Sequence, residues 1–185
     1  KARGVVIGFL QRSVTGVQTY APIANADTIR LFLAITAMMG LSLLSIDVNP
    51  AFLYGKLSSK EVVYVKPLPG MDVKPNHVLR LIRSLYGLRS APKIWNETLK
   101  KAFFEFGLKQ SDYDPCLFYI MDKTLYLLVV IVVDDILVAS NKNSKNEEML
   151  AFMRSKFSVK DLGVPSYIIG VHLNYNRVKR YIKLS

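Results

Sequence analysis

Two adjacent carboxylates, Asp134 and Asp135, lie within an apolar segment that runs from Leu125 to Ala139. The segment is rich in Val, Ile and Leu, and β-branched side chains favour a strand over a helix. Burying an ionised carboxylate is costly unless it is paired or bound to a metal, and two neighbouring negative charges repel each other. A tight turn that brings both acids to the edge of a sheet, beside a bound cation, resolves this conflict. Oxygen ligands of this kind suit Mg²⁺.

The acid pair has two other possible interpretations, a surface hairpin and a membrane-spanning helix. A surface hairpin whose turn carries two solvated acids also fits, because Asp is common in turns. A membrane-spanning helix does not fit, since the apolar run is shorter than the roughly 20 residues that a span needs and two acids interrupt it.

A third acid supports the metal hypothesis. Asp47 ends a second apolar segment, predicted as a strand over 41–48. Pro50 prevents that strand from continuing inside a sheet, because proline donates no backbone hydrogen bond. We therefore expect three carboxylates at strand ends, where they could converge on one point.

The composition indicates a polyanionic partner. The 185 residues include 25 Lys and Arg against 14 Asp and Glu, a net charge of +11. A basic chain of this size favours nucleic acid first and an anionic membrane surface second, with simple solubility charge as the alternative. The single cysteine, Cys116, excludes an internal disulfide and fits an intracellular location. Two histidines, His77 and His172, are too few for a histidine-based metal cluster.

Helices and strands are predicted in mixed order. Asp27 is predicted to cap a helix that stops at Gly40, a second helix covers 91–106, and Ser144 with Glu147 forms the capping box of a third. The predicted strands are the apolar segments 1–11, 41–48, 61–66, 78–83, 117–121, 125–133, 136–139, 167–173 and 181–184. This order predicts an α+β fold with an antiparallel sheet.

Carboxylates at strand ends, a basic chain and the lack of a nucleophile–histidine pair indicate two-metal phosphoryl transfer. Two Mg²⁺ ions about 3.5–4 Å apart would activate the attacking oxygen and stabilise the leaving oxygen. The protein would contribute mainly positioning and charge neutralisation. Nucleases and polymerases both use this chemistry, and the residue pattern by itself leaves both open.

Nine segments, in order along the chain, resemble the reverse transcriptase domain of copia-type LTR retrotransposons. They are KARGVVIGFLQ, TYAPIANADTIRLFLAI, SIDVNPAFLYGKL, EVVYVKPLPGM, SLYGLRSAPKIW, SDYDPCLF, VVDDILVAS, KFSVKDLG and YIIGVHL. The resemblance implies an RNA-directed DNA polymerase with a right-hand fold. Residues 1–185 would form one fingers–palm domain of a longer polyprotein, with fingers at roughly 1–40 and 56–85 and palm at roughly 41–55 and 86–185. We expect the thumb, connection and RNase H parts to be absent from this chain.

The resemblance also implies roles for the acids. Asp47 and Asp134 would hold two Mg²⁺ ions, which Mn²⁺ could replace, with Asp135 beside them as part of the metal site. Phe52 would be the steric gate that clashes with a ribose 2′-OH. Lys160 would protonate the leaving pyrophosphate.

Further positions are assigned by the same resemblance. Tyr86 would lie near the incoming nucleotide, and Gly87, Leu88 and Arg89 would line the nascent pair and the template. Lys1 and Arg3 would contact the triphosphate, where charge-assisted bonds are strong. The segment 167–173 would be the primer grip.

The implied partners are an RNA template, a DNA or tRNA primer duplex and deoxynucleoside triphosphates. The remaining polyprotein parts would be RNase H, integrase, protease and capsid, within a cytoplasmic virus-like particle. No membrane partner is expected, and the sequence leaves the oligomeric state open.

Three departures from the family pattern support an alternative. Val132 replaces the usual aromatic before the acid pair, Ile7 replaces a basic residue, and Arg89-Ser90 replaces Lys-Gln, which removes an amide that could reach the template. The alternative is a degenerate, non-catalytic nucleic-acid-binding remnant. A nuclease is disfavoured by Phe52, Lys1 and Arg3. A membrane-surface protein is disfavoured because the best amphipathic helix, 91–106, is committed to the core.

Overall fold

The computed structural model describes residues 4–8, 19–132 and 135–185. Most of the strand predicted over 1–11 therefore lies outside the described residues, and residues 4–7 are not in a strand. The described helices are α1 (Ala26–Met38), α2 (Ala91–Phe106) and α3 (Asn143–Lys156). The strands are β1 (Ser42–Val48), β2 (Tyr64–Val65), β3 (Leu79–Arg80), β4 (Lys109–Gln110), β5 (Leu117–Met121), β6 (Tyr126–Val132), β7 (Asp135–Ser140), β8 (Val159–Gly163), β9 (Tyr167–Ile168), β10 (Val171–Asn176) and β11 (Tyr181–Leu184).

The chain divides into two compact units. The first contains the described residues before Pro22 together with Pro50–Lys100. The second contains Pro22–Asn49 and Lys101–Ser185. Each unit is described by itself below.

A six-stranded antiparallel sheet forms the centre of the second unit. Its strand order is β4-β5-β6-β7-β1-β8. The β-branched residues of β6 and β7 suit this position, because their side chains pack on both faces of a covered sheet. Val129, Val130, Ile136 and Val138 are fully buried. The prediction of an antiparallel sheet combined with helices is confirmed.

Helices cover this sheet. The α3 helix packs against β7, β1 and β8, and its Met149 and Met153 are fully buried. Near the end of α2, Phe103 meets Phe118 of β5 edge to face, with ring centroids 4.9 Å apart. The α1 helix packs against β6 and β11. The predicted core role of Phe103 is thus confirmed.

A smaller antiparallel sheet, in the order β11-β10-β9, completes the second unit. The strand predicted over 167–173 divides into β9 and the start of β10, and β11 pairs with Leu173–Asn176. Tyr175 of β10 donates its hydroxyl to the carbonyl oxygen of Leu41 at 2.7 Å, which ties the hairpin to the start of β1.

The first unit contains long loops and little regular sheet. Strands β2 and β3 form a short antiparallel pair, so the strands predicted over 61–66 and 78–83 shorten to two residues each. Backbone bonds outside the strands continue the contact, including Leu81 N–H to Val63 O at 2.9 Å and Ser84 N–H to Gly55 O at 2.9 Å.

The helix ends correct two predictions. The α1 helix begins at Ala26 with Asn25 at the N-cap, so Asp27 lies in its first turn. The α3 helix begins at Asn143 after Lys142, so the predicted capping box is wrong, because Ser144 and Glu147 both lie inside the helix.

Tertiary bonds near the start of α3 explain the second correction. Asn143 accepts a bond from Arg177 at 2.8 Å, and Asn146 donates to the carbonyl oxygen of Ser42 at 2.8 Å. The predicted stop at Gly40 is confirmed, since its φ of +60° is the left-handed conformation that a helix end favours.

Across residues 4–8, 19–132 and 135–185, none of the helices combines the length and the apolar character that crossing a bilayer requires.

Candidate active site

Three charged residues form a row across one edge of the large sheet. Asp47 of β1 lies directly opposite Asp135, the first residue of β7. On its other side Asp47 lies opposite Lys160 of β8. Directly opposed residues of antiparallel strands project to the same face, with Cβ atoms about 4.5–5.5 Å apart. We call Asp135, Asp47 and Lys160 the charged row.

The charged row lies beside the buried core of the sheet. One position inward, Ile136 lies opposite Ile46, and both are fully buried. In the row itself Asp47 is half-buried, whereas the other two members are exposed. Val48, one position beyond Asp47, is again buried, at 2% exposed, so the core continues past the row.

The charged row combines two acids with one base. Like charges directly opposite each other on paired strands are destabilising, so Asp47 and Asp135 favour a cation nearby. Lys160 lies opposite Asp47, but among the described residues no ion pair joins Lys160 to a carboxylate. Asp47 accepts a hydrogen bond from the side-chain amide of Asn49. This neutral donor satisfies one carboxylate oxygen but adds no positive charge.

The donor set fits Mg²⁺, which usually takes one or two carboxylates together with substrate phosphates. Asp47 and Asp135 supply oxygen ligands from neighbouring strands. Asp134, the third predicted ligand, lies outside the described residues. Within the described ranges no group of three His, Cys, Asp or Glu residues could hold a metal ion.

The first unit brings together two residues predicted at the nucleotide site. The rings of Phe52 and Tyr86 meet edge to face, with centroids 4.9 Å apart and planes inclined by 66°. Phe52 lies in a short 3-10 helix, Ala51–Leu53, and the hydroxyl of Ser84 donates to its carbonyl oxygen. Both rings are half-buried, so each keeps an accessible side.

The loop at Gly87 contacts the described part of the N-terminal segment. Val6 N–H donates to the carbonyl oxygen of Tyr86 at 2.8 Å, and Arg89 Nε donates to the carbonyl oxygen of Gly8 at 2.9 Å. Gly87 has a φ of +90°, and a Cβ there would lie 1.9 Å from the carbonyl oxygen of Val6. Only glycine fits this backbone approach.

The predicted triphosphate contacts, Lys1 and Arg3, lie outside the described residues. Ile7, which stands where the family has a basic residue, is 57% exposed. The predicted roles of Tyr86, Gly87 and Arg89 toward nucleotide and template stay predictions. The side chain of Leu88 is buried, 3% exposed.

Ser90, one of the departures from the family pattern, makes a buried hydrogen bond. Its side chain is buried and donates to Glu61, itself only 4% exposed, at 2.5 Å. A buried carboxylate is costly without donors, so a hydroxyl donor at this position stabilises the loop. The loss of a template contact through this departure stays a prediction.

Asp114 is a buried acid whose role the sequence did not reveal. It accepts bonds from the backbone N–H groups of Asn25 at 2.9 Å and Cys116 at 2.8 Å. Burial by itself raises the pKa of Asp114, but hydrogen bonds from Thr28, Asn25 and Cys116 outweigh it and hold the pKa below its ordinary value. Burial, with the nearby Asp114 charge, raises the pKa of the Cys116 thiol to about 12. Asp114 therefore caps the start of α1, where a negative charge is favourable.

The predicted primer grip, 167–173, forms β9, a turn and the start of β10. Tyr167 and His172 lie opposite each other with ring centroids 5.2 Å apart. Tyr167 and Ile169 are more than 60% exposed, at 64% and 63%. The contact with primer stays a prediction.

The family model described as reverse transcriptase (RNA-dependent DNA polymerase) matches residues 1–185. The chain belongs to the reverse transcriptase family. This reverse transcriptase chain is 32% identical over 174 residues to the retrovirus-related Pol polyprotein from transposon RE1 of Arabidopsis thaliana, covering 92% of the chain and 12% of the relative. It is 29% identical over 194 residues to that from transposon TNT 1-94 of Nicotiana tabacum, covering 100% of the chain and 14% of the relative.

A more distant relative is the transposon Ty1-H Gag-Pol polyprotein of Saccharomyces cerevisiae, 25% identical over 197 residues, covering 100% of the chain and 10% of the relative. The resemblance to copia-type retrotransposon reverse transcriptases is confirmed. This reverse transcriptase chain spans 12–14% of the length of the plant polyproteins it matches.

Proposed function

We propose that the chain is an RNA-directed DNA polymerase that adds deoxynucleotides to a primer 3′-OH while copying retrotransposon RNA. The observation that carries the proposal is the register of β1 and β7, which sets Asp47 opposite Asp135. Directly opposed acids favour a bound cation, and the matching family model is described as a reverse transcriptase (RNA-dependent DNA polymerase). The net charge of +11 supports a polyanionic template and primer.

Asp47, Asp134 and Asp135 would hold the metal ions in this proposal. When bound, two Mg²⁺ ions supply charge neutralisation at the attacking and leaving oxygens. The primer 3′-oxygen forms a bond to the α-phosphorus as the bond to the pyrophosphate oxygen breaks. The primer hydroxyl would give its proton to solvent water, and Lys160 would donate one to the leaving pyrophosphate and regain it from solvent.

Residues of the first unit would bind and select the nucleotide. The ring of Phe52, supported by Tyr86, would exclude a ribose 2′-OH. Gly87 and Arg89 would line the nascent pair and the template, and Lys1 and Arg3 would contact the triphosphate. Guanidinium and ammonium groups make strong charge-assisted bonds to phosphate.

The proposed organisation is a fingers–palm domain. The fingers would comprise roughly 1–40 and 56–85 and the palm roughly 41–55 and 86–185, with the large sheet in the palm. The further partners would be an RNA template with a DNA or tRNA primer, and the RNase H, integrase, protease and capsid parts of a polyprotein. We place these components in an intracellular particle.

One observation favours a second candidate function, a non-catalytic nucleic-acid-binding remnant. Val132 lies directly opposite Asp135 and is only 6% exposed. The family aromatic that Val132 replaces would therefore stand next to the acids, and its loss removes a ring from the edge of the proposed site.

Primer extension on poly(rA)/oligo(dT) with dTTP and Mg²⁺ tests the proposal. The chain, with any flanking residues that its gene encodes, is compared with Asp47→Asn and with a matched control, Asp161→Asn. Asp161 is next to Lys160 but lies opposite Ile46, one position from the charged row. Its Oδ1 accepts a bond from Gly163 N–H, which the amide oxygen of Asn can also accept.

We expect extension by the wild type and by Asp161→Asn, and none by Asp47→Asn. Duplex binding without extension by the wild type, unchanged by Val132→Tyr, would support the remnant. Equal extension by all three proteins would refute the assignment of Asp47.

A further inference from the structure

Asn49 contacts Asp47 but belongs to none of the roles assigned above. Its side-chain Nδ2 donates to Asp47 Oδ2. A carboxylate only accepts hydrogen bonds, so the amide nitrogen, not the amide oxygen, must face it. Asn49 is the second residue after Asp47, just beyond the end of β1.

The turn after β1 holds Asn49 beside Asp47. Asn49 and Pro50 both lie in this turn, because a proline at position 50 cannot continue the strand inside the sheet. The backbone N–H of Asn49 also donates to the carbonyl oxygen of Ser158 at 3.0 Å, which continues the pairing of β1 with β8 by one step beyond Val48 and Val159.

This contact has a defined consequence for the Asp47 carboxylate. The last torsion of an Asp side chain has a broad, two-fold preference, so an unbound carboxylate samples many orientations. A donor on Oδ2 fixes the plane of the group and leaves Oδ1 for another ligand. Because the amide is neutral, it orients the carboxylate without neutralising the charge that attracts a cation.

We propose that Asn49 is a positioning residue that orients the Asp47 carboxylate for a divalent cation, and this inference rests on the proposed function. Groups that hydrogen-bond to metal-ligating carboxylates typically change metal affinity or activity by about 10–100-fold when they are removed. Asn49 contacts Asp47 from the position just after β1, and its backbone N–H is bonded to Ser158, the residue before β8.

The test measures metal binding apart from activity. Free Mn²⁺ is followed by its paramagnetic resonance signal during titration of the wild type, Asn49→Ala, Asn49→Ser and Asp47→Asn. Asn174→Ala is the matched control, because Asn174 is an exposed asparagine of the same unit, on β10 opposite Lys183. Primer extension is measured in parallel as a function of Mg²⁺ concentration, and circular dichroism checks that each variant folds.

We expect Asn49→Ala to weaken Mn²⁺ binding by about tenfold and to raise the half-maximal Mg²⁺ concentration by a similar factor. At saturating Mg²⁺ the KM for dTTP should stay near the wild-type value. Asn49→Ser keeps a hydroxyl donor and should recover part of the affinity, and Asn174→Ala should match the wild type.

Two results would overturn the inference, and they differ in what they imply for the proposed function. If Asp47→Asn loses Mn²⁺ binding and extension while Asn49→Ala matches the wild type, only the role of Asn49 is wrong. If the wild type and Asp47→Asn bind Mn²⁺ equally and neither extends a primer, the proposed function fails together with the inference.

Discussion

Asp47 and Asp114 are acids of the same unit, and both lie in segments that resemble copia-type reverse transcriptases. Asp114 is 1% exposed and accepts two backbone bonds, from Asn25 and Cys116. Asp47 is half-buried, accepts one side-chain bond from Asn49 and faces Asp135 across the β1–β7 pair. Backbone donors satisfy the charge of Asp114, whereas Asp47 lies between the like charge of Asp135 and the ammonium group of Lys160.

This contrast separates an acid that stabilises the fold from one that binds a ligand. Donors that favour the charged form hold the pKa of Asp114 below its ordinary value, so the ionised side chain needs no further partner. Two directly opposed carboxylates, Asp47 and Asp135, gain stability from a bound cation. Substitutions at the two positions should therefore have opposite effects on activity and stability.

The largest effect is expected for Asp47→Asn. Loss of a metal ligand should reduce primer extension by more than about 100-fold, because even an indirect partner of a ligand is worth about 10–100-fold. The metal-free protein should be as stable as the wild type or slightly more stable, because the substitution removes one of two opposed like charges. Extension rates and urea unfolding measure both properties. A large loss of stability would show that Asp47, like Asp114, stabilises the fold.

Asp114→Ala should behave in the opposite way. It leaves the N–H groups of Asn25 and Cys116 without their acceptor, and we expect a loss of about 2–4 kcal/mol in the free energy of unfolding. Urea denaturation measures the loss, with the exposed Asp112→Ala as the control. Extension per folded molecule should remain. Loss of extension in a fully folded variant would show that Asp114 acts at the site.

Phe52→Ala tests whether the first unit selects deoxynucleotides over ribonucleotides. Removing the ring that packs on Tyr86 should reduce discrimination against ribonucleotides by about 10–100-fold. Competition between dTTP and UTP in primer extension measures this ratio. Phe104→Ala, an exposed aromatic of α2, is the control and should leave the ratio unchanged. An unchanged ratio in Phe52→Ala would reduce Phe52 to a packing residue.

The smallest effect is a difference in the pH dependence of stability. Because the pKa of Asp114 is lowered on folding, the unfolded chain binds more protons near that pKa. The contribution of Asp114 is thus present above the ordinary pKa of an aspartate, about 3.9, and is lost as the pH falls through the lower pKa of the folded state.

Urea unfolding of the wild type and Asp114→Asn at a series of acidic pH values measures this contribution. We expect the difference in unfolding free energy between the two proteins to shrink as the pH falls below about 4. A constant difference across this range would show that the charge of Asp114 does not contribute.

The sequence predicts the central sheet because its strands are long, apolar and rich in β-branched residues. Acids at 47 and 135 mark the ends of β1 and β7, so their meeting follows once those strands pair. The lengths of β2 and β3 were predicted too long. Apolar side chains indicate a strand, but they do not show how many of its residues pair with a neighbouring strand.

Local sequence patterns do not predict contacts between segments that are far apart in the chain. Asp114 accepts a bond from Asn25, the N-cap of α1, 89 residues away in the chain, so no local motif marks that role. The predicted capping box at Ser144 failed because Arg177 and Ser42, both far along the chain, anchor the first turns of α3. The sequence does not predict the contact of Asn49 with Asp47, because this contact depends on the orientation of one side-chain amide.

The central claim is that the charged row binds a divalent cation through Asp47. The most direct test is the free energy of unfolding of the wild type and Asp47→Asn, each with and without Mg²⁺. A ligand that binds only the folded state at 100 times its dissociation constant stabilises by about 2.7 kcal/mol. We predict that Mg²⁺ stabilises the wild type by an amount that grows with its concentration and leaves Asp47→Asn nearly unchanged. Equal stabilisation of both proteins, or none of the wild type, would contradict the claim.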